Sequence, residues 1–172
     1  LYVSLSAKKG IVIKDEQTTA KHDISGNLTM HPSGAWGLSY SYSNDTEKIT
    51  FQDGNILKEP WILTSMDDDE ARTGIFKQVS LIEIGNEHIM VYGCLVGDDA
   101  PYKIAVYDQD GNQQLLLGRD PSDDSASFGY ITGVAETANG YIATDGNARV
   151  LYFWSKDGTL LGRIQCSDIV GT

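Results

Sequence analysis

Three loops of this sequence carry clustered carboxylates, the side chains whose type and spacing most suggest binding chemistry. The loops span 64–74, 93–102 and 119–129 and read TSMDDDEARTG, GCLVGDDAPY and RDPSDDSASFG. Carboxylates gathered on one surface attract a cation, a cationic ligand or a basic protein surface. The candidate ligand-binding residues are Asp67, Asp68, Asp69, Asp98, Asp99, Asp120, Asp123 and Asp124, with Glu70 beside the first three.

The same loops have a simpler interpretation, because a run of charge on a surface is usually just solvated. The EF-hand calcium pattern needs an acidic residue five positions before its glycine and a glutamate six after it. In VYDQDGN those positions are Val106 and Leu117, so we expect Asp110-Gly111 to be a hairpin turn. The sequence predicts no cofactor, and calcium at the acidic loops stays an open alternative.

Catalytic signatures are largely missing. The sequence contains no GxSxG, no HExxH and no phosphate-binding glycine loop. We expect its histidines, His22, His31 and His88, to be structural, because they show no spacing typical of metal ligands. The sequence identifies no catalytic residue and no metal ligand. It favours a protein that is not an enzyme without deciding the question.

Short strands and tight turns position these loops. GYIATDGNARVLYFWSKDGTLLGRI, at 140–164, consists of three apolar runs separated by two turns. Its β-branched and aromatic residues favour strands, and Asp157-Gly158 is a hairpin turn in which glycine accepts a positive φ. With YITGVAE before it, the segment 130–165 is predicted to be four consecutive antiparallel strands.

The apolar pattern inside the strands predicts how they pack. RVLYFW, HIMVYGCLV and YKIAVY do not alternate between apolar and polar residues, as a strand with one wet face would. These strands are therefore expected to be covered on both faces. A four-stranded antiparallel sheet that lies between two neighbours is a blade of a β-propeller.

The unit also repeats along the chain. Segment 80–118 overlays 133–164 with Ile89 on Ile142, Ile104 on Val150 and Asp110-Gly111 on Asp157-Gly158. Two earlier segments, EKITFQDGNILKEPWIL and AKHDISGNLTMH, repeat the half that consists of a strand, a turn and a strand. The sequence predicts an all-β fold, a β-propeller of three to four meander blades in a single domain (1–172) or fragment; a β-sandwich is the alternative. The turn glycines that mark the repeat are Gly26, Gly54, Gly111 and Gly158, at spacings of 28, 57 and 47 residues.

The last unit resembles an NHL-type propeller repeat. The matching residues are Gly133-Val134-Ala135, Gly140, Ile142, Asp145, Asn147, Arg149-Val150, Phe153 and Asp157-Gly158. The preceding unit departs from the pattern, with Tyr92 in the place of Asp145 and Lys103 in that of Arg149, and the first half of the chain hardly matches. The resemblance implies that Asp145 and Arg149 form a structural pair bracing the second and third strands.

Blade topology gathers the acidic loops. In a meander blade, the turns joining strands one to two and three to four lie at one end, and the remaining links lie at the other. Here the first set is short and the second is long and acidic, so we expect the carboxylates on one face. A typical NHL-like ring needs about five to eight such blades. The chain is thus expected to be part of a larger propeller or to pair with another copy. A compact four-bladed ring is the remaining alternative.

Charge limits the partners. The chain has 24 acidic and 13 basic residues and a net charge of −11. Such a charge repels phosphate backbones and anionic lipids, so neither nucleic acid nor a membrane is an expected partner. The expected partners are a protein, a glycan or a cation at the acidic loop face, together with further blades from a larger chain or another copy.

The cysteines and the first residues of the chain are less informative about function. Cys94 and Cys166 form no metal motif, and either a disulfide or two free thiols fits them. The first residues, LYVSLS, suggest a processed product or an excised fragment. Acidic character without cytosolic cofactor motifs favours an extracellular, periplasmic or cell-surface location.

Three functions fit these patterns. The first is a non-enzymatic propeller domain that acts as a binding scaffold through its acidic loop face. The second is a metal-dependent propeller enzyme of the lactonase or hydrolase type, for which the sequence supplies no convergent ligand set. The third is a carbohydrate-binding sandwich, in which an exposed Tyr40 and Tyr42 would stack on sugars. We expect those tyrosines to be core residues, and Trp36, Trp61 and Trp154 to pack between sheets.

Overall fold

The described part of the protein is almost entirely β-structure. The computed structural model describes residues 2–6, 9–14, 18–23, 26–40, 46–52, 55–61, 75–97 and 99–168. These residues form four antiparallel sheets and one short 3-10 turn, Cys166–Asp168. None of the described helical structure is long and apolar enough to span a membrane. The all-β prediction is confirmed.

Each sheet is a meander whose strand order follows the chain. The first sheet has three strands and the second has four: β1 (Tyr2–Ser6), β2 (Lys9–Lys14) and β3 (Thr18–Asp23), then β4 (Asn27–Met30), β5 (Trp36–Tyr40), β6 (Thr46–Gln52) and β7 (Asn55–Pro60). The third and fourth sheets have four strands each: β8 (Phe76–Ile84), β9 (Ile89–Leu95), β10 (Tyr102–Tyr107) and β11 (Gln113–Leu117), then β12 (Ile131–Thr137), β13 (Gly140–Asp145), β14 (Val150–Ser155) and β15 (Leu160–Gln165). The meander predicted at 130–165 is confirmed.

The third sheet is buried on both faces, as its lack of alternation predicts. On β9, Met90 and Tyr92 belong to the core shared with the fourth sheet, whereas Val91 belongs to the core shared with the second. Strand β10 divides in the same way, with Ile104 on one side and Ala105 on the other. Neighbouring sheets therefore pack face to face on either side of the third sheet.

Within the described residues, β14 departs from the same prediction. Its residues alternate, with Val150, Tyr152 and Trp154 buried and Leu151 and Phe153 only half-buried. The buried face packs on the third sheet, and within the described residues the other face has no sheet over it. Apolar composition alone could not reveal this, because both faces of the strand are equally apolar.

At the β10–β11 hairpin of the third sheet and the β14–β15 hairpin of the fourth, equivalent residues are 47 positions apart in the sequence. A β-bulge lies between Val106 and Tyr107 and again between Phe153 and Trp154. Tyr107 pairs with Ile89, and Trp154 pairs with Tyr141.

This register corrects the sequence overlay by one residue. Ile89 corresponds to Tyr141 and not to Ile142, and Ile104 corresponds to Leu151 and not to Val150. The overlay uses an offset of 53 residues at Ile89 and 46 at Ile104, whereas the registers give 52 and 47, so it overestimates by two residues how much longer the β9–β10 link is than the β13–β14 link. A one-residue slip places a side chain on the opposite face of its sheet.

The assignment of Gly26 to a repeat hairpin is also wrong. Gly26 lies between β3 and β4, which belong to different sheets and do not pair. The Asp-Gly hairpin predicted after β6 is confirmed by the pairing of Gln52 with Asn55, although Gly54 itself lies outside the described residues.

The first strands of successive sheets lie together, and the fourth strands lie outermost. Strand β8 contacts β4 and β5 on one side and β12 on the other. The fourth strands carry exposed apolar residues, among them Leu57, Leu116 and Leu161. The second, third and fourth sheets are therefore packed closely at their first strands and more open at their fourth.

Aromatic residues fill the space between sheets. Trp154 is buried, stacks on Tyr152 and donates its indole N–H to the carbonyl oxygen of Gly118 at 2.9 Å. Trp36 and Trp61 pack against the core between the second and third sheets, and Tyr40 lies within that core. The expected packing of the three tryptophans and of Tyr40 is confirmed, whereas Tyr42 lies outside the described residues.

Candidate functional site

Two of the three acidic loops meet at one end of the sheets. The link between β11 and β12 touches the start of β10: the Phe128 amide donates to the Tyr102 carbonyl at 3.1 Å, and the Tyr102 amide donates to Ser127 Oγ at 2.7 Å. Asp99 lies exposed in the neighbouring β9–β10 loop, in a left-handed conformation with φ of 56°. The predicted residues Asp67, Asp68, Asp69, Glu70 and Asp98 lie outside the described residues.

Asp120 and Asp123 are held in matching turns on the β11–β12 link. Asp120 Oδ1 accepts hydrogen bonds from the Ser122 amide (2.9 Å) and hydroxyl (2.7 Å). Asp123 Oδ1 accepts the same pair from Ser125, at 2.9 and 2.6 Å. These bonds, the hydroxyl bond first, hold the pKa of both carboxyls below the usual value. Both side chains are therefore exposed, oriented anions at neutral pH.

A cation lies beneath this surface. The side chain of Lys103, on β10, is only 4% exposed. Burial lowers the pKa of Lys103, and the nearby charges of Asp124 and Asp123 act to raise it. Arg163 similarly favours the charged form of Asp120. Lys103 and Arg163 thus partly offset the negative charge of the described part of the acidic face. Asp120, Asp123 and Asp124 themselves remain exposed.

Asp145 is a structural residue, but its partner is not the one implied by the NHL resemblance. Its side chain is 1% exposed and accepts four backbone hydrogen bonds, from the amides of Gly129, Tyr130, Asn147 and Ala148. Burial disfavours its charge, but the four amides outweigh burial and hold the pKa of Asp145 below its usual value.

The predicted pairing of Asp145 with Arg149 is therefore wrong. No ion pair between described residues joins the two, and Arg149 is exposed with φ of 54°. The carboxylate instead ties the link that enters β12 to the turn between β13 and β14. The backbone amides, and not a guanidinium, satisfy the Asp145 carboxylate, because they converge on it at a buried position that solvent does not reach.

The opposite end, where the hairpins are short, contains a second polar cluster. Glu136 on β12 reaches across to the β8–β9 hairpin of the preceding sheet. Its Oε2 accepts the amides of Glu87 (3.0 Å) and His88 (3.3 Å), and its Oε1 lies 2.7 Å from His88 Nδ1. The Tyr141 hydroxyl lies 3.3 Å from the same nitrogen. A side chain on Gly85 would collide with Glu136, so the hairpin depends on a glycine there.

The same hairpin is held from its other side by the second sheet. His31 stacks on Trp36, and its Nε2 lies 3.3 Å from the carbonyl oxygen of Asn86. The expectation that His31 and His88 are structural thus agrees with their contacts. The sequence did not group Glu87, His88 and Glu136, because 48 residues separate His88 from Glu136 and no local motif relates them.

Both cysteines are free, which settles the alternative that the sequence left open.

Comparison with known proteins gives the fold and no family. No family model matches the chain, and no curated protein matches it. The chain is similar to the solved structure of U3-55K, a β-propeller-like protein, with a TM-score of 0.53 and 11% identity over 80% of this chain. The match spans 38% of the U3-55K chain, so this chain corresponds to well under half of that protein's length. At this identity the likeness concerns the fold alone.

Proposed function

We propose that the four sheets are blades of a β-propeller, and that this domain is a non-enzymatic scaffold that binds a basic protein segment at its acidic loop face. The observation that carries the binding role is the presence of exposed, ionised aspartates in fixed turns at the end of the sheets where the long links gather.

The packing pattern supports blades over a sandwich. In a sandwich, one face of each sheet meets the other sheet and the opposite face meets water. The third sheet instead has a sheet on each face, and the first strands of the second, third and fourth sheets lie together. Leu151 and Phe153 occupy the positions of Ile104 and Val106, which the next sheet buries. This half-buried apolar face supports a further blade that covers the last sheet.

The loop geometry supports binding of a basic segment. Loops on one end of a rigid scaffold are the usual place for recognition. Because their turns already fix Asp120 and Asp123, ordering them on binding costs little conformational entropy. Rim charges of this kind chiefly affect the association rate and its salt dependence.

Fluorescence anisotropy with a labelled lysine-rich peptide tests this function. The loop variant combines Asp120→Asn, Asp123→Asn and Asp124→Asn. The control variant removes the same charge elsewhere, with Glu47→Gln, Glu59→Gln and Asp110→Asn. Titrations at low and at physiological salt are compared for both variants and the unmodified chain.

The loop variant is expected to raise the Kd several-fold and to flatten its salt dependence, and the control variant is expected to change neither. If both variants weaken binding equally, the peptide senses only the overall charge and the acidic face is not a site. The absence of saturable binding by the unmodified chain at low salt would also refute the proposal.

A further inference from the structure

The cluster formed by Glu87, His88 and Glu136 combines one imidazole nitrogen with two carboxylates. One ligand atom from each residue lies within 4.8 Å of the others. Glu87 and His88 come from the β8–β9 hairpin and Glu136 comes from β12, so the donors belong to two neighbouring sheets. The cluster lies at the hairpin end, away from the acidic loop face.

The cluster is built into the interface between the sheets and differs from a group of surface acids. The Glu136 side chain is only 8% exposed, and its Oε2 is anchored by two backbone amides. That anchoring leaves Oε1 directed at His88 Nδ1, 2.7 Å away. His88 is half-buried against the ring of Tyr141, which limits the positions its imidazole can adopt.

Glu87 completes the set from the exposed side. Its backbone amide binds Glu136, which fixes its Cα relative to the other two donors. Its carboxylate forms an ion pair of 3.5 Å with Lys156 on the surface. That pair is solvent-exposed and therefore weak, so Glu87 can turn toward a metal ion at small cost.

The chemistry of the donors selects the metal. Mg²⁺ and Ca²⁺ prefer oxygen ligands alone, whereas Zn²⁺ and similar transition metals accept imidazole together with carboxylate. Two ionised carboxylates also balance a charge of +2. Three protein donors leave a fourth tetrahedral position for water.

We propose that Glu87, His88 and Glu136 form a binding site for a divalent transition metal ion of the Zn²⁺ class. The metal takes the place of the proton between His88 Nδ1 and Glu136 Oε1: a neutral imidazole then carries its proton on Nε2, and an imidazolium keeps its Nε2 proton and releases the other to solvent. Oε2 of Glu136 keeps its two amide hydrogen bonds. The bound ion clamps the third sheet to the fourth, independently of any partner at the acidic loop face.

The experiment is a titration of the chelator-treated chain with ZnCl₂ by isothermal calorimetry, repeated with CaCl₂ and MgCl₂. Variants His88→Gln and Glu136→Gln each remove one donor. Glu59→Gln is the control for the carboxylate variants, because it removes an exposed carboxylate of the second sheet that lies outside the donor set. Glu87→Gln covers the case in which another variant fails to fold, since Glu87 is exposed. Circular dichroism verifies folding of each protein.

We expect the unmodified chain to bind one Zn²⁺ and to discriminate against Ca²⁺ and Mg²⁺. Each donor variant should weaken Zn²⁺ binding by more than about tenfold, since losing even an outer-shell partner costs 10- to 100-fold. Glu59→Gln should retain the original affinity. Bound Co²⁺ should give visible absorption bands that His88→Gln abolishes.

Three results would overturn the proposal. The first is no saturable Zn²⁺ binding by the unmodified chain. The second is Zn²⁺ binding that folded Glu87→Gln and His88→Gln variants keep. The third is an equal loss of affinity in Glu59→Gln, which would place the ion elsewhere.

Discussion

Replacing Asp145 with alanine removes the acceptor of four backbone hydrogen bonds at once. The bonds come from Gly129 at 2.8 Å, Tyr130 at 3.1 Å, Asn147 at 3.1 Å and Ala148 at 3.0 Å. A hydrogen bond to a charged group contributes roughly 1.5–3 kcal/mol. The four are not additive, because water can enter the space left by the carboxylate and satisfy some of the amides. We therefore expect a loss of about 3–5 kcal/mol, the range typical of removing one partner of a buried charged interaction.

Urea and thermal unfolding measure this loss. In a chain of this size, 1 kcal/mol corresponds to about 2–4 °C in Tm, so Asp145→Ala should lower Tm by roughly 6–20 °C. Arg149→Ala is the control, and we expect it to change stability by less than about 0.5 kcal/mol because Arg149 is exposed. A loss below about 1 kcal/mol for Asp145→Ala would refute the reasoning, as would an equal loss for Arg149→Ala.

The stabilisation by Asp145 also has a defined pH dependence. The pKa of Asp145 is lowered in the folded state, so its stabilising contribution is complete above the unfolded value of about 4. The contribution is lost as the pH falls through the folded pKa. The stability difference between the unmodified chain and Asp145→Ala should therefore narrow in acid and stay constant from about pH 5 to 7. A difference that grows as the pH falls would contradict the assignment of the charged form.

Three further substitutions test the packing, each measured by urea unfolding. Gly140→Ala should cost more than about 2 kcal/mol, because its φ is +150° and a Cβ would collide with the backbone of Trp154 and Ser155; a neutral result would contradict the hairpin geometry. Gly162→Ala is its counterpart in open space and should be neutral or stabilise by up to about 1 kcal/mol. Trp154→Phe should cost about 1–3 kcal/mol, because the half-buried carbonyl of Gly118 loses its indole donor; an unchanged stability would mean that water replaces that bond.

The sequence by itself determined the strands, the turns and the meander order of the last sheet. The segment 130–165 shows why. Each of its apolar runs forms one strand, and Gly158, with φ of 84°, has a left-handed conformation that glycine adopts readily in a turn. The burial of β9 and β10 on both faces was also predictable from their composition. These features are local, since a strand, a hairpin and an apolar run are each defined by neighbouring residues.

Only the tertiary structure decided how the sheets face one another and which side chains meet between them. The correspondence of Ile89 with Tyr141 is defined only by the pairing of the strands, and a shift of one residue would place the side chain on the opposite face. Asp145 accepts hydrogen bonds from converging backbone amides and forms no ion pair with Arg149, and Glu136 contacts His88 on another sheet. Local pattern cannot encode such contacts, because they depend on the relative placement of segments far apart in the chain, which is fixed only when the sheets pack.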